Sequence, residues 1–542
     1  MSRFKSTVSL TVTDITVLIF FLYCLLHTGI IQGFRCDPLI WFKWGAVSLA
    51  YVFFRNIRRP CWILYAIVIY GLFQSTIAIG QALSLIPSPH RFFPVTGTFG
   101  NPGPLGGFLA ITGVCCTGLF RQAIQERKIQ LTIFAGLSFG ILTAGILLSD
   151  SRAAFLSMFI GWTVLWYENI RKLFQKNKTL IQIVLVGSMI GLCYLLYFHR
   201  PASANSRLLI WRISANMIVA KPLFGQGTGA FDREYMLYQA AYFEQYPESP
   251  LAIVADNAAY PYNEWMHVLI ELGIVGYCLL LSVFMAGLAC RSSGSIHRTL
   301  KAGLSTFIVF SFFSYPVEIV ELMLVPVALL GSLPSKIVYT VSIYRWMKLA
   351  GTGLFTGIIG LTIAGISVLC QISGEIKQLT LFDTSVSTPY CDRYFPMLVN
   401  NADFNMTYLS ALCRKPLSAA DWIKIKQIFP SSETYCRLGE ACERYAQYEQ
   451  AEQFYRKAAN MVPARIMPNY HLWRLYINRG DDGQAHATAH KILSQPVKVE
   501  NTFTLRVKGE MKRYLQTLNH QSSYKLDISS QILSNQKTGH IR

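Results

Sequence analysis

The sequence predicts an all-α, polytopic membrane protein that ends in a soluble helical tail. Of its 542 residues, 52% are hydrophobic and only 14% are charged, against roughly 25% charged in a soluble domain. The charge deficit is confined to long apolar blocks in the first two-thirds of the chain and ends near Ser373. The loops between those blocks alternate between Lys/Arg-rich and Lys/Arg-poor, as the loops of a multi-span protein do.

A spanning helix needs about 20 mostly apolar residues. About eleven such blocks follow one another, at roughly 10–32, 38–54, 62–84, 104–120, 129–149, 153–168, 179–198, 262–289, 301–314, 318–333 and 350–371. The first follows Arg3 and Lys5 with no small-x-small cleavage site behind it, so it reads as an uncleaved anchor. The two short blocks either side of Ser314-Tyr315-Pro316 read as a pair of spans or as one re-entrant hairpin.

Alternate loops hold Arg55/Arg58/Arg59, Arg121/Arg127/Lys128, Arg171/Lys172/Lys176/Lys178, Arg291/Arg298/Lys301 and Lys336/Arg345/Lys348. With the N-terminus they carry about eighteen cations, whereas the opposite short loops carry about four: Arg35, Lys43, Arg91 and Arg152. The positive set belongs in the cytoplasm. The expectation is therefore a bacterial inner-membrane protein with a cytoplasmic N-terminus. Its loop 85–103, the turn Ser149–Arg152, the loop 199–261 and everything after about residue 372 then lie on the periplasmic side. The net charge of +20 is accounted for by the short loops, which argues against a nucleic-acid partner. Cytoplasmic nucleotide chemistry is excluded for the same outer segments.

Thirteen cysteines are present, most of them inside apolar blocks, and no Cys-x-x-Cys or Cys/His spacing points to a metal. Cys391 and Cys413 lie in the tail, where an oxidising compartment would let them pair.

The expected organisation is a membrane domain over 1–371 with its large loop at 199–261, a linker and helical cap over 372–429, helical repeats over 430–516 and a loose polar tail over 517–542. The repeat assignment rests on Leu438-Gly439, Ala451, Tyr455, Ala458 and Pro463, whose offsets resemble the tetratricopeptide pattern. A second unit reads Leu472, Tyr476, Gly480 and Ala485. Gly480-Asp481-Asp482-Gly483 is then an inter-helix turn and not a metal loop. Two repeats are too few to bury their apolar faces alone, so helices in 400–429 and 500–516 are expected to cap them. Such repeats dock proteins or acceptors and perform no chemistry.

Three outer segments carry groups suited to chemistry. Gly97-Thr98-Phe99-Gly100-Asn101-Pro102 is a turn entering the fourth span. Ser149-Asp150-Ser151-Arg152-Ala153-Ala154 puts an arginine at a membrane boundary, a position that demands an anionic partner, either Asp150 or a diphosphate. The long loop holds Ser206-Arg207-Leu208-Leu209-Ile210-Trp211-Arg212, a helix that Ser206 can cap and that ends near Pro222. Ile210, Trp211, Ser214 and Met217 form its apolar stripe. The following Pro222-Leu223-Phe224-Gly225-Gln226-Gly227-Thr228-Gly229 lacks the ending of a nucleotide loop and reads as a helix stop with a tight return. Tyr235, Tyr238, Tyr242, Phe243 and Tyr246 offer aromatic faces for sugar rings or for a membrane-interface belt. The loop closes at Tyr260-Pro261-Tyr262-Asn263-Glu264-Trp265. Glu264, His267 and Glu271 are spaced to share one face of the next span.

In this order, Gly-Thr-Phe-Gly-Asn-Pro, Ser-Arg-Ala, Arg-x-x-x-Trp, Pro-Leu-x-Gly-x-Gly-x-x-Phe and Asn-Glu-x-x-x-x-x-x-Glu-x-Gly-Ile-x-Gly resemble the O-antigen ligase superfamily over residues 90–290. That superfamily includes O-antigen ligases, O-antigen polymerases and bacterial protein O-oligosaccharyltransferases. The resemblance implies a GT-C-like fold and an inverting, metal-independent glycosyltransferase with no cofactor. The donor would be an undecaprenyl-diphosphate-linked glycan and the acceptor a hydroxyl on a lipid, protein or glycan. It implies that Arg152 and Arg207 hold the donor diphosphate; Arg212 is a third candidate on the same helix. The family histidine that activates the acceptor aligns with Tyr262, a phenol of pKa about 10 and a poor base at neutral pH. Tyr262, Asn263 and Glu264 are the candidate catalytic group, with Asp256 a further candidate base. Rival readings are an O-unit polymerase, a glycolipid exporter and a non-enzymatic membrane scaffold.

Overall fold

The computed structural model describes residues 5–32, 38–173, 178–199, 201–289, 294–344, 367–368, 371–372, 388–398, 402–425 and 427–517. The chain is a polytopic all-α membrane protein. It divides into two compact units, the first comprising 1–231 and 259–372, the second 232–258 and 373–542.

In the first unit the helices are α1 (Val12–Gln32), α2 (Pro38–Arg55), α3 (Cys61–Ala82), α4 (Pro102–Gln125), α5 (Ile129–Ser149), α6 (Arg152–Leu173), α7 (Lys178–His199), α8 (Pro201–Ala220), α10 (Glu264–Leu288), α11 (Ser295–Ser311) and α12 (Val320–Ser332). Helix α9 (Ala230–Gln245) starts here and continues into the second unit. Among the described residues five helices, α1, α3, α4, α5 and α10, are long and apolar enough to cross a membrane. The apolar block at 350–371 lies almost wholly outside the described residues.

Helix α4 is the hub. Its apolar window is 83% buried, against 28% for α5. Small residues allow this packing: a Cβ on Gly107 would sit 2.1 Å from the Phe310 ring of α11, so any larger residue would push the two helices apart. On α5, Ile133, Leu137 and Ile141 recur every four residues and are all exposed, which is the signature of a lipid-facing stripe.

One feature was not expected. Strand β1 (Lys5–Thr11) pairs antiparallel with β2 (Ile337–Tyr344), from Lys5↔Tyr344 to Thr11↔Ile337. The first span accordingly begins after Thr11. Its first-turn Asp14 accepts hydrogen bonds from the Thr11 amide and hydroxyl, both at 2.7 Å, from the Tyr51 hydroxyl at 2.7 Å and from Arg55 Nε at 3.1 Å. A carboxylate in an apolar helix is tolerable only with such partners.

The second unit contains α13 (Thr388–Leu398), α14 (Ala402–Leu412), α15 (Ala419–Ile425), α16 (Ser432–Arg444), α17 (Tyr448–Met461), α18 (Ile466–Arg479), α19 (Asp482–Ser494) and a last helix, α20, over 502–517. Helices α16–α17 and α18–α19 form two successive pairs. Gly439 lies against the Tyr455 ring, where a Cβ would approach to 2.4 Å. Gly480 ends α18 in the left-handed conformation, and Asp481 caps α19 by accepting from the Gln484 amide. Cys391 and Cys413 are free thiols, which corrects the pairing suggested by their shared compartment. Residues 518–542 lie outside the described residues.

The stretch 232–258 also belongs to this unit. Tyr235, Tyr242 and Phe243 are buried in it, so they are core residues and not faces for sugar or lipid. Gln239 donates to the carbonyls of Asp256 and Met461. Asp256 is clasped by Arg465 and Lys498, each at 2.9 Å. Burial pushes its carboxyl up, but the Lys498 hydrogen bond, the Asn257 amide and the two cations outweigh that and hold it below its ordinary value. Asp256 is thereby removed as a candidate base.

Candidate functional site

Helix α10 is broken at Gly273, whose φ of 66° is left-handed. The Gly-rich return, 221–229, fills the break. In an unbroken helix the Ile274 amide would donate to the Ile270 carbonyl, and that of Val275 to the Glu271 carbonyl. Instead Ile274 donates to Pro222 and Val275 to Leu223, at 2.9 and 3.3 Å, while Gln226 and Gly227 donate to the freed carbonyls of Ile270 and Glu271, at 2.8 and 3.0 Å. Helix α1 closes the account: Tyr23 donates to the Leu272 carbonyl at 2.7 Å, and His27 Nε2 lies 2.6 Å from the Phe224 carbonyl. The backbone groups that the break orphans are thus paired again, which a helix in an apolar medium requires.

This geometry fixes the acidic face of α10. Glu271 Oε1 accepts from the Gly229 amide at 2.6 Å and lies 3.1 Å from His267 Nε2. His267 Nδ1 lies 3.5 Å from Glu264 Oε1. The other Glu264 oxygen is buried and has no hydrogen-bond partner among the described residues. Asn263 caps the helix, its side chain accepting from the amides of Trp265 and Met266 at 3.1 Å each. Tyr262 precedes it with a φ of 50°, a conformation costly for a residue with a side chain.

A cationic and aromatic cluster adjoins this helix start. The Arg207 guanidinium lies over the Tyr262 ring, 5.3 Å from its centroid, and donates to the Phe313 carbonyl at 2.8 Å. Tyr315 meets the Tyr262 ring edge-on at 5.5 Å and stacks on Tyr260 at 4.3 Å. Asn101 hydrogen-bonds the Tyr315 side chain, which brings the Gly97–Pro102 turn into the same cluster. Burial, followed by the neighbouring Tyr262 and Tyr260, pushes the Tyr315 phenol up.

Arg152 begins α6 and donates to Ser203 of α8 at 3.0 Å. Its charge acts on Arg207: burial first, and then Arg152, lower the pKa of Arg207. Arg152 thus stands at the N-terminal end of α6, near enough for its charge to act on Arg207.

Arg207 and Tyr262 therefore lie together, Asn263 and Glu264 follow Tyr262 in sequence, and Arg152 acts on Arg207 through its charge. Arg212 stands elsewhere on the helix surface. It is exposed on α8, and five residues beyond Arg207 is about 140° around a helix. Helix α8 also starts earlier than expected, at Pro201, a residue preorganised for a first helical turn. Ser206 is consequently inside the helix and not its cap. Sequence reading missed Tyr315 as a site residue; the only signal was its place in Ser-Tyr-Pro between two short apolar blocks.

Residues 137–281 match the O-antigen ligase family. The chain carries an O-antigen ligase domain. That match spans Arg152, Arg207, the Gly-rich return, Tyr262–Glu264 and the break at Gly273, but not Tyr23 and His27 of α1. Asn101 and Tyr315 lie outside the matched residues and reach the Tyr262 cluster from flanking segments. No curated protein matches the chain. The match to this family over residues 137–281 supports glycan transfer of the O-antigen ligase or polymerase kind in general.

Proposed function

We propose that this ligase moves a glycan from undecaprenyl diphosphate to an acceptor hydroxyl on the periplasmic side of the inner membrane. The observation that carries the reading is Arg207 lying over Tyr262 at the start of α10, with the charge of Arg152 acting on it. The acceptor oxygen attacks the anomeric carbon of the donor. The bond from that carbon to the diphosphate oxygen breaks, and its electron pair leaves on the diphosphate. The two guanidiniums stabilise the charge that develops there, a task suited to oriented forks and needing no metal. Attack opposite the leaving group inverts the anomeric centre.

Glu264 takes the acceptor proton in this scheme. Its unpartnered buried oxygen supports that role, since it has a lone pair free to accept. Tyr262 stands under Arg207 and orients it, and Asn263 fixes the helix start that presents Glu264. Deleting the gene and comparing lipopolysaccharide and glycoproteins on gels tests the reading. The fraction that loses its glycan identifies the acceptor, and loss of long chains alone points to polymerisation. Normal profiles in both fractions would sink the transferase reading.

A further inference from the structure

The second unit contains a polar groove of about 640 Å³ between α16, the start of α17 and α18, within the ordinary size range of a small-ligand site. Its floor is rigid. Tyr455 is fully buried, stacks on His471 with centroids 5.0 Å apart, and donates to Glu443 at 3.0 Å. Asn478 donates to the other Glu443 oxygen at 3.1 Å. His471 Nε2 lies 3.3 Å from Glu440. Burial, and then Arg474, push the His471 imidazole down to about 4, so the ring is neutral at physiological pH.

We propose that this groove binds a saccharide. The lining excludes other ligand classes in turn. It holds no aliphatic side chain, so a peptide anchored by apolar residues has nothing to bury against. Its two carboxylates, Glu440 and Glu443, balance Arg444 and Arg474, so no net positive potential favours a phosphate or a nucleic acid. Among the described residues no cluster of three ligating side chains suits a metal. What the groove offers is a dense set of planar donors and acceptors, with Tyr448, 40% exposed, as an aromatic face at its edge. Hydroxyl groups both donate and accept, and a pyranose ring has an apolar face that lies on an aromatic ring. A short stretch of glycan satisfies this lining. The inference deepens the proposed function, on which it rests only for the biological source of the sugar.

The test is direct binding to the full chain in lipid nanodiscs, by calorimetry. The probes are glucose and N-acetylglucosamine tetrasaccharides and the polysaccharide released by mild acid from the source cell's own surface glycolipid. At least one should bind. Tyr448→Ala and Asn478→Ala should each weaken it at least tenfold with an unchanged thermal melt, because both side chains are at the groove surface. Arg207→Lys should leave this binding intact. No binding to any probe, or equal binding by wild type and both variants, overturns the inference. So does binding of a random polar peptide library that the saccharides fail to displace. Saccharide binding by a wild-type protein with no transfer activity would separate the two readings, leaving the groove and removing the proposed reaction.

Discussion

Gly225 and Gly273 face each other across the break in α10 with no room for a Cβ on either. A Cβ on Gly225 would lie 2.4 Å from the Glu271 carbonyl oxygen, and one on Gly273 would lie 2.3 Å from that of Leu223. Both glycines also have positive φ, at 71° and 66°. Gly225→Ala or Gly273→Ala should therefore combine left-handed strain of about 1–2 kcal/mol with overlap costing about 1–3 kcal/mol. The expected outcome is a lower melting temperature and loss of transfer. Gly45→Ala, at a position with nothing within 4 Å, should change neither. Unaltered melting of both joint variants would show that the break is not held by this contact.

Arg207→Lys keeps the charge but loses the planar fork that donates to Phe313 and lies over Tyr262. Transfer should fall by about 2–3 kcal/mol of transition-state stabilisation, on the order of a hundredfold in rate. Tyr262→Phe should be mild and Glu264→Gln severe. The reverse order, measured at equal protein level, would move the base to the phenol.

The second unit needs its tail to bury Tyr235, Tyr242 and Phe243. Truncation after residue 372 should therefore open 232–258 to limited proteolysis at sites closed in the full chain. The sequence alone suggested a docking tail separable from the chemistry. Equal protease resistance in truncate and full chain would restore that picture.

His471 is neutral in the folded unit, whereas an unfolded histidine takes up its proton near 6.5. Its folded pKa is depressed, so its contribution is complete above pH 6.5 and is lost as the pH falls through about 4. At 1.36 kcal/mol per pH unit the loss is on the order of 3 kcal/mol. Hydrogen exchange of the α16 and α18 amides, corrected for intrinsic rate, should show protection falling over that range. His471→Gln should flatten the dependence; an unchanged slope in that variant would assign it to another group.

Much of this was legible from residue order. The apolar blocks at 62–84 and 129–149 coincide with α3 and α5 to within two residues, because Pro60, Lys128 and the polar turn at Ser149–Arg152 punctuate them. The shared face of Glu264, His267 and Glu271 followed from helical spacing. Three things were hidden, each for a physical reason. The spacing of Tyr235, Tyr242 and Phe243 is the same whether a helix faces sugar, lipid or a protein core, so sequence could not assign the partner. The docking of 221–229 into Gly273 is a contact between distant segments, visible in sequence only as two separate glycine motifs. The run Ile-Val-Tyr-Thr-Val-Ser-Ile-Tyr at 337–344 has strong strand character, yet a strand reading needed a pairing partner, and that partner lies at the opposite end of the membrane part.

That distance has a consequence for biogenesis. Thr11 and Ile337 pair, so the first of these two strands to be synthesised waits for its neighbour through more than three hundred residues of synthesis. At about 5–20 residues per second the wait is roughly 15–70 s. Throughout it the N-terminal strand presents an open edge, the kind that recruits other chains. Nascent copies on one messenger pass through that interval together. A slow stretch of translation before residue 337 would lengthen it and favour entangled copies, whereas faster synthesis there would shorten the period in which a wrong partner can be taken.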